Sequence, residues 1–523
     1  MKLAQNGSSQ PAGAILFAAI VFAALLAAPG VTIAASYVND LFIFLDGAHR
    51  IASGQIPNRD FHTALGPLSF YIPAWGYWLS GTMGGAMPSG MALATLVLAM
   101  PIAHVLSSRL HPLLALLFGL FLLLVLAVPL NLGESITALS FAMFYNRIGW
   151  AALGALLVMY LRPERCRPWQ EGIDALCAAA LTLVMLYTKI TYGLVALAFL
   201  TFLLFDSRQR RWVATAIALI LISGIGIEAF WRSTSAYIAD LVMSAQVSGS
   251  RRPADLTVTF IRHLADYTLL GIFISLVLPR TRNLRDLLFF GFCAIPGLLI
   301  QNQNSQPWGI LTIHAGATVA AEMVLRLQVQ HSSKKLPSSS FATGVPLLLM
   351  AMILPTILHN FMALGLHSAL AMTRTGRVFD LPRFAEIRLI SPWMANEKTL
   401  MHIYLESIES GARALESLPE APIKVSVLDF ANPFSAGLGL LPPRGDSAWL
   451  HWNRNVNASH FTPPEQYFAD VNILMQPKWG INPAPLRELY RAYVDTAFEP
   501  LRETEGWAIY RRKAQEVATK APF

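Results

Sequence analysis

The densest run of chemically capable residues lies between positions 37 and 62, YVNDLFIFLDGAHRIASGQIPNRDFH. Its acids are Asp40, Asp46 and Asp60, and Arg59 and His62 flank the last of them. A carboxylate partly withdrawn from water has its pKa raised toward neutrality and can take a proton from a hydroxyl. Asp40 is the first candidate for such a base, and a helix N-cap is the competing reading of the same position. Asp46 follows six residues later, so on a helix the two acids face different ways and form no ready-made dyad. Gly54 and Pro57 end that helix and leave Asn58–His62 in a turn. Two later cations, Arg147 in FYNRIGW and Lys189 in LYTKITYG, have the charge to hold a phosphate, one as a planar fork and the other as a point charge. Snorkelling to lipid headgroups is the alternative for both, as it is for Arg232, Arg251, Arg252 and Arg262. Gln301 and Asn302 belong to LIQNQNSQPW, whose amides suit a hydroxyl-rich ligand or simply form a polar turn.

These residues are set in a strongly apolar chain. Of 523 residues, 54% are hydrophobic and 13% charged, and the mean hydropathy is +0.49. That composition excludes an ordinary soluble protein. The net charge of +8 sits in short basic clusters between apolar stretches, the pattern of membrane topology and not of a nucleic-acid-binding face. Cys166, Cys177 and Cys293 form no CxxC pair, so neither a disulfide framework nor a cysteine metal site is indicated. No His/Asp cluster has ligand spacing, and no metal or other cofactor is expected.

Apolar windows fall near 12–36, 88–108, 112–131, 137–161, 172–188, 191–205, 212–230, 266–279, 286–300, 308–327 and 342–367, each of a length that suits a membrane span. The first reads as a retained span, too long for a signal-peptide core, with cleavage near Ala35 as the alternative. Basic clusters at Arg162/Arg165/Arg167, Arg208/Arg210/Arg211, Arg280/Arg282/Arg285 and Arg326/Lys334/Lys335 are separated by pairs of spans, and Arg109 fits the same side. The positive-inside rule places that side in the cytoplasm. The segment Pro67–Met83 is apolar, but Pro73, Gly76 and the belt of Tyr71, Trp75, Tyr77 and Trp78 suit an interfacial helix better. The reading is therefore a polytopic α-helical membrane protein of about 11 spans, residues 1–371, with a first extracytoplasmic loop at about 37–87. Residues 372–523 read as a small extracytoplasmic α/β C-terminal domain, with helices at 396–416 and 484–497 and strands at 424–430, 471–475 and 507–511.

The arrangement resembles the polytopic GT-C glycosyltransferases. It is most similar to their bacterial branch related to protein mannosyltransferases and to the aminoarabinose transferases of lipid A. The residues that carry the likeness are Asn39-Asp40, Gly54-Gln55-Ile56-Pro57-Asn58-Arg59-Asp60 and Gly66-Pro67-Leu68, with the tight TKITYG turn and the C-terminal phrases VLDFANPF, LPPRG and ADVNILMQPK. The resemblance implies transfer of a sugar from a polyprenyl-phosphate carrier to an acceptor outside the cytoplasm, with inversion at the anomeric carbon. It gives Asp40 the role of base and Asp60 that of a second, substrate-orienting carboxylate. Arg147 and Lys189 would neutralise the departing phosphate, and His62 would contact phosphate or sugar. One departure stands out: where the aminoarabinose transferases have Lys before Pro-Pro-Leu, this chain has Gly66 and a single Pro.

The expectation is thus an inverting, lipid-linked-sugar-dependent glycosyltransferase of a bacterial inner membrane. Its partners would be a polyprenyl-phosphate sugar, a glycan, lipid or protein acceptor, and the bilayer. A transporter or flippase for lipid-linked glycans would instead need polar residues buried mid-span, for which His104, Glu228 and His314 are the candidates. A polysaccharide ligase would carry its key residues in a large late loop.

Overall fold

Apolar segments with no water around them must satisfy their backbone groups internally, so they form helices. In a computed structural model the chain is described over residues 10–164, 168–248, 253–303, 306–332, 339–390, 400–480 and 482–514. Arg165, Cys166, Arg167, Arg251, Arg252, Lys334 and Lys335 lie outside the described residues. The helices are α1 (Gln10–Ala27), α2 (Val38–Ala52), α3 (Leu68–Ser80), α4 (Met83–Arg109), α5 (Pro112–Ala127), α6 (Phe144–Val158), α7 (Gln170–Thr188) and α8 (Ile190–Leu204). They continue with α9 (Arg210–Trp231), α10 (Thr234–Ser248), α11 (Pro253–Arg262), α12 (Leu264–Thr281), α13 (Leu284–Asn302), α14 (Leu311–Ser332) and α15 (Ser339–Met372). A helix occupies every one of the apolar windows. Six described helical segments are long and apolar enough to cross a membrane, and α1, α5 and α8 contribute shorter apolar helices. The chain has the architecture of a multi-pass membrane protein.

The ends of these helices sort by charge. Arg109, Arg162, Arg285 and Arg326 converge on one end of the bundle. Asp206 accepts from Arg162 at 3.0 Å and from Arg285 at 2.6 Å, and Arg326 donates to the Arg162 carbonyl at 3.0 Å and to that of Arg109. At the same end Asp174 pairs with Arg109 at 2.6 Å and with His104 at 3.0 Å.

The opposite end carries α2, α3 and the C-terminal region. α3 lies along this end and does not run through the bundle. The Gly66 amide and the Ser69 hydroxyl beside its start donate to the Thr188 carbonyl, while Tyr77 near its finish accepts from Arg383 at 2.7 Å. Gly76 lets α3 close on α4, since a Cβ there would lie 1.9 Å from the Ala86 carbonyl oxygen.

The first window is shorter as helix than the sequence suggests. Pro29 and Gly30 (φ +64) stop α1 at Ala27, and the β-branched Thr32 and Ile33 become extended. Thr32–Ala34 is β1, which pairs in parallel with β3 (Ile387–Leu389); β2 (Arg377–Val378) pairs antiparallel on the other side of β3. The chain after α15 is thereby stitched to the N-terminal helix. It continues through α16 (Leu400–Glu416), β4 (Val425–Val427), α17 (Phe434–Leu438), α18 (Pro464–Tyr467), β5 (Ile473–Pro477), α19 (Pro483–Ala497), β6 (Phe498–Glu503) and β7 (Trp507–Arg512). The second sheet has the order β4-β5-β7-β6, with only β4 and β5 parallel. β6 has no counterpart among the strands read from the sequence: FEPLRE is polar, contains Pro500 and forms the sheet edge, where no apolar alternation is needed.

α2 is joined to the C-terminal region by a buried ionic triad. Arg50 Nε donates to Asp46 Oδ2 at 2.6 Å, one turn back on the helix, and its Nη1 and Nη2 donate to the two Asp446 oxygens at 2.7 and 3.1 Å. The Pro443 carbonyl accepts from Nη1 at 2.8 Å, Ser426 donates to Asp446 at 3.2 Å, and the guanidinium stacks on Phe61. Burial opposes the charge on Arg50, yet the carboxylates of Asp446 and Asp46 outweigh it and hold the guanidinium protonated. Breaking one partner strands a buried charge. Asp446→Ala is expected to cost about 3–5 kcal/mol of stability. The double variant Arg50→Met/Asp446→Ala should cost less than the single one, in denaturant unfolding of the detergent-solubilised protein.

Candidate active site

α2 begins at Tyr37, which takes the left-handed conformation (φ 52) as N-cap and makes no side-chain cap bond. Its hydroxyl instead donates to Glu134 at 2.9 Å and fixes the start of the helix to the segment after α5. Asp40, in the first turn, makes no cap bond either, so the capping reading falls away. Its carboxylate has no hydrogen bond or ion pair to any described residue. Protein encloses it on nearly every side, but solvent-sized groups still reach it. Burial pushes its pKa up to about 7, against the pull of the nearby Arg454 guanidinium.

Arg454 belongs to a turn pinned at several points. Asn453 is left-handed (φ 61) and its amide donates to the Val456 carbonyl. Asn455 accepts from the His451 amide at 2.7 Å and donates to the Trp449 carbonyl at 3.0 Å. Ser244 of α10 donates to the Arg454 carbonyl at 3.4 Å. A long cationic side chain on so restrained a backbone loses little freedom when it meets an anion.

The same guanidinium acts on Lys189. Lys189 stands in extended conformation (φ −154) between α7 and α8, its ammonium donating to Asn146 at 3.0 Å and lying over the Tyr145 ring at 5.2 Å. Burial, and then Arg454, bring its pKa down to about 7. Asp40, Arg454 and Lys189 thus form one electrostatic group, a single acid with two cations. Asp429, just beyond the C-terminal end of β4, adds a second enclosed carboxylate, pushed by burial to about 6. Tyr404 feels both acids: burial, then Asp429 and Asp40, raise its hydroxyl well above the usual range.

The other residues singled out in the sequence go elsewhere. Asp60 accepts from the Ile56 amide at 2.7 Å, from Arg444 at 2.9 Å and weakly from Arg59 at 3.4 Å. It closes its turn and ties it to the C-terminal region, and Arg59 beside it is largely exposed. His62 meets Asp240 at 2.8 Å and Gln466 at 2.8 Å. Asp240 also accepts from Asn58 and the Thr63 amide, so it organises the whole 58–63 turn. Gln301 donates to the Gln306 carbonyl at 2.6 Å, and Asn302 accepts from Thr259 at 3.1 Å. Arg147 is buried and donates to the Leu130 carbonyl at 3.0 Å. Among the described residues no group of three His, Cys, Asp or Glu stands together as a metal ion requires. Of the mid-span candidates, His104 is paired as above and Glu228 accepts from Thr234. His314 Nε2 stands 4.0 Å from Asp266.

Gly66, the departure noted in the sequence, has a geometric cause. Its amide donates to the Thr188 carbonyl at 3.1 Å, and a Cβ would lie 2.2 Å from the Tyr187 carbonyl oxygen. Two backbones meet there, one of them the turn that carries Lys189. Gly66→Ala should cost about 1–3 kcal/mol of stability by overpacking, read by thermal unfolding, whereas Gly172→Ala, in open space, should cost nothing.

No protein-family model matches the chain, and no curated protein matches it by sequence. Among solved structures it is similar to ArnT from Cupriavidus metallidurans in the apo state, at 13% identity and TM-score 0.47, over 95% of this chain and 97% of that one. The same protein bound to undecaprenyl phosphate gives 13% identity and TM-score 0.44, over 97% and 99% of the two chains.

Proposed function

We propose that this protein is an inverting glycosyltransferase. It moves a sugar from a polyprenyl-phosphate carrier to an acceptor hydroxyl at the extracytoplasmic face of a bacterial inner membrane, with 11 spans and the C-terminal region outside. The observation that carries the reading is Asp40: an enclosed carboxylate with no hydrogen bond among the described residues, acted on by the same Arg454 guanidinium that acts on Lys189, at the end of the bundle opposite the basic clusters. In the proposed step the acceptor O–H gives its proton to Asp40 as its oxygen attacks the anomeric carbon. The bond from that carbon to the phosphate oxygen breaks, and the charge that develops on the leaving phosphate meets Lys189 and Arg454. One displacement inverts the centre.

A lipid carrier also needs a place for its chain. An almost wholly apolar groove of about 430 Å³ lies between α3, α7 and α9, lined by Leu68, Tyr71, Leu183, Tyr187, Phe230 and Trp231 among others. Tyr187, which lines it, precedes Lys189 by two positions in the chain. In this reading Asp60 and His62 hold the loop against the C-terminal region, and Arg59 donates to Asp60.

The test is a transfer assay on the full chain in lipid nanodiscs. Donors are undecaprenyl-phosphate mannose, glucose, galactose and 4-amino-arabinose, with a cell-envelope extract as acceptor. Asp40→Asn should lower kcat at least ~100-fold without loss of thermal stability, since it removes a charge that burial disfavours. Full activity in that variant, or no consumption of any donor by the wild type, sinks the proposal. The pH dependence follows from the two shifts. Asp40 works ionised, so kcat/KM rises as pH passes up through about 7. Lys189 works protonated, so kcat/KM falls again above about 7, which gives a narrow bell. Lys189→Arg, which stays charged, should push the alkaline limb upward and leave the acid limb in place.

A further inference from the structure

Arg147 does not belong to the electrostatic group around Asp40, and its surroundings are physically incomplete. The side chain is 1% exposed. Nη1 donates to the Leu130 carbonyl at 3.0 Å, while Nε and Nη2 are buried with no hydrogen-bond partner among the described residues. No carboxylate among the described residues forms an ion pair with it. A guanidinium stays protonated in a protein, and an isolated buried charge is among the costliest things a fold can hold.

The neighbouring orphans have one sign. Asn131, next to the carbonyl that Arg147 binds, is 3% exposed and its Nδ2 is unpartnered; Asn146, next to Arg147 in sequence, is 1% exposed and its Nδ2 is unpartnered too. Together with the two guanidinium nitrogens these are four donor nitrogens, and among the described residues none of the three has a buried acceptor left without a partner. Water would satisfy the donors but would leave the charge. The backbone adds to the imbalance. Arg147 lies in the first turns of α6, whose N-cap Met143 makes no side-chain cap bond. A helix N-terminus carries positive partial charge, which repels a cation and attracts an anion.

We propose that Arg147 and Asn131, with Asn146 beside them, form an anion site separate from the one that receives the donor phosphate, and that its ligand is a halide ion, chloride in practice. Close burial of all three side chains suits a compact spherical ion better than a lipid headgroup. The site lies beside the donor phosphate's, because Asn146 accepts from Lys189 through its oxygen while its nitrogen has no partner among the described residues. An occupied site therefore fixes Asn146, and through it Lys189. The inference rests on the glycosyltransferase reading only for that last link, and its test does not.

The full-length protein is crystallised with sodium bromide in place of chloride, and anomalous difference maps are calculated. The expected result is a bromide peak within hydrogen-bonding range of Arg147 Nη2. In parallel, thermal unfolding is followed in sodium chloride and in sodium gluconate at equal ionic strength. The wild type should melt about 3 °C or more higher in chloride, with saturation. Asn131→Asp places a carboxylate beside the guanidinium, so this variant should fold, match the chloride-bound wild type and lose its response to chloride. A map without bromide at Arg147, equal melting in the two salts, or chloride sensitivity retained in Asn131→Asp overturns the proposal. So does stabilisation by undecaprenyl phosphate that Arg147→Gln abolishes while halides do nothing, since that would return Arg147 to the donor site. Failure of the transfer assay alone leaves these readouts untouched.

Discussion

Arg50 is buried with no exposed surface, and both of its acidic partners are needed to keep it there. One, Asp46, is on its own helix; the other, Asp446, is 396 positions away in the chain. The pair of bonds to Asp446 is bidentate, which fixes direction as well as distance. Everything at the candidate site is referred to this joint. Asp40 rides on α2, Arg454 and Asp429 are carried by the C-terminal region, and their relative placement is set by how α2 and that region are clamped. A buried ion triad is a poor source of net stability compared with apolar packing. Its value here lies in geometry, because an ionic fork admits only one register where an oily contact admits several.

The electrostatics of the site follow from that clamp. Asp40 and Lys189 are both driven toward neutrality by loss of water, from opposite directions, and both arrive near 7. The Arg454 guanidinium sets the local sign. It stabilises the ionised carboxylate and opposes the ionised lysine, leaving a site whose charge is finely adjustable at neutral pH. An anion entering between the cations would draw Lys189 back to its charged form. The site thus holds part of its positive charge in reserve until an anion is present, which lowers the cost of the empty state.

Hydropathy and basic clustering made the helical bundle legible, because both are local properties of the chain. A helix at Pro67–Met83 was legible for the same reason, and the structure forms α3 there with Pro73 inside it. Asp40 could be picked out by its place just after the first apolar run. Asp446 and Arg454 could not, since each acts on a partner hundreds of positions away and lies in a polar segment with no periodicity. Asn453 and Asn455 around Arg454 are turn residues that hint at a rigid corner, but a corner has no address until the fold supplies one. Asp60 and His62 were conspicuous in sequence for their chemistry, and the structure uses that chemistry on Arg444, Asp240 and Gln466, because a loop pressed against another region needs polar pairing wherever its backbone leaves regular structure.

The spacing of Asp40 and Asp46 explains how one short helix can do two opposed jobs. Six residues on an α-helix amount to about 240° of rotation, so the acids leave α2 on different sides. One side meets Arg50 and Asp446 and becomes a fixed strut. The other opens toward Arg454 and Lys189 and keeps its carboxylate unbonded. A base that is to accept a proton has to be left without a competing donor, which on a mobile support would invite it to swing toward the nearest cation. Arg454 is that cation. The strut opposes that swing: Asp46 is held by Arg50 on the other face of α2, and burial keeps the pKa of Asp40 raised.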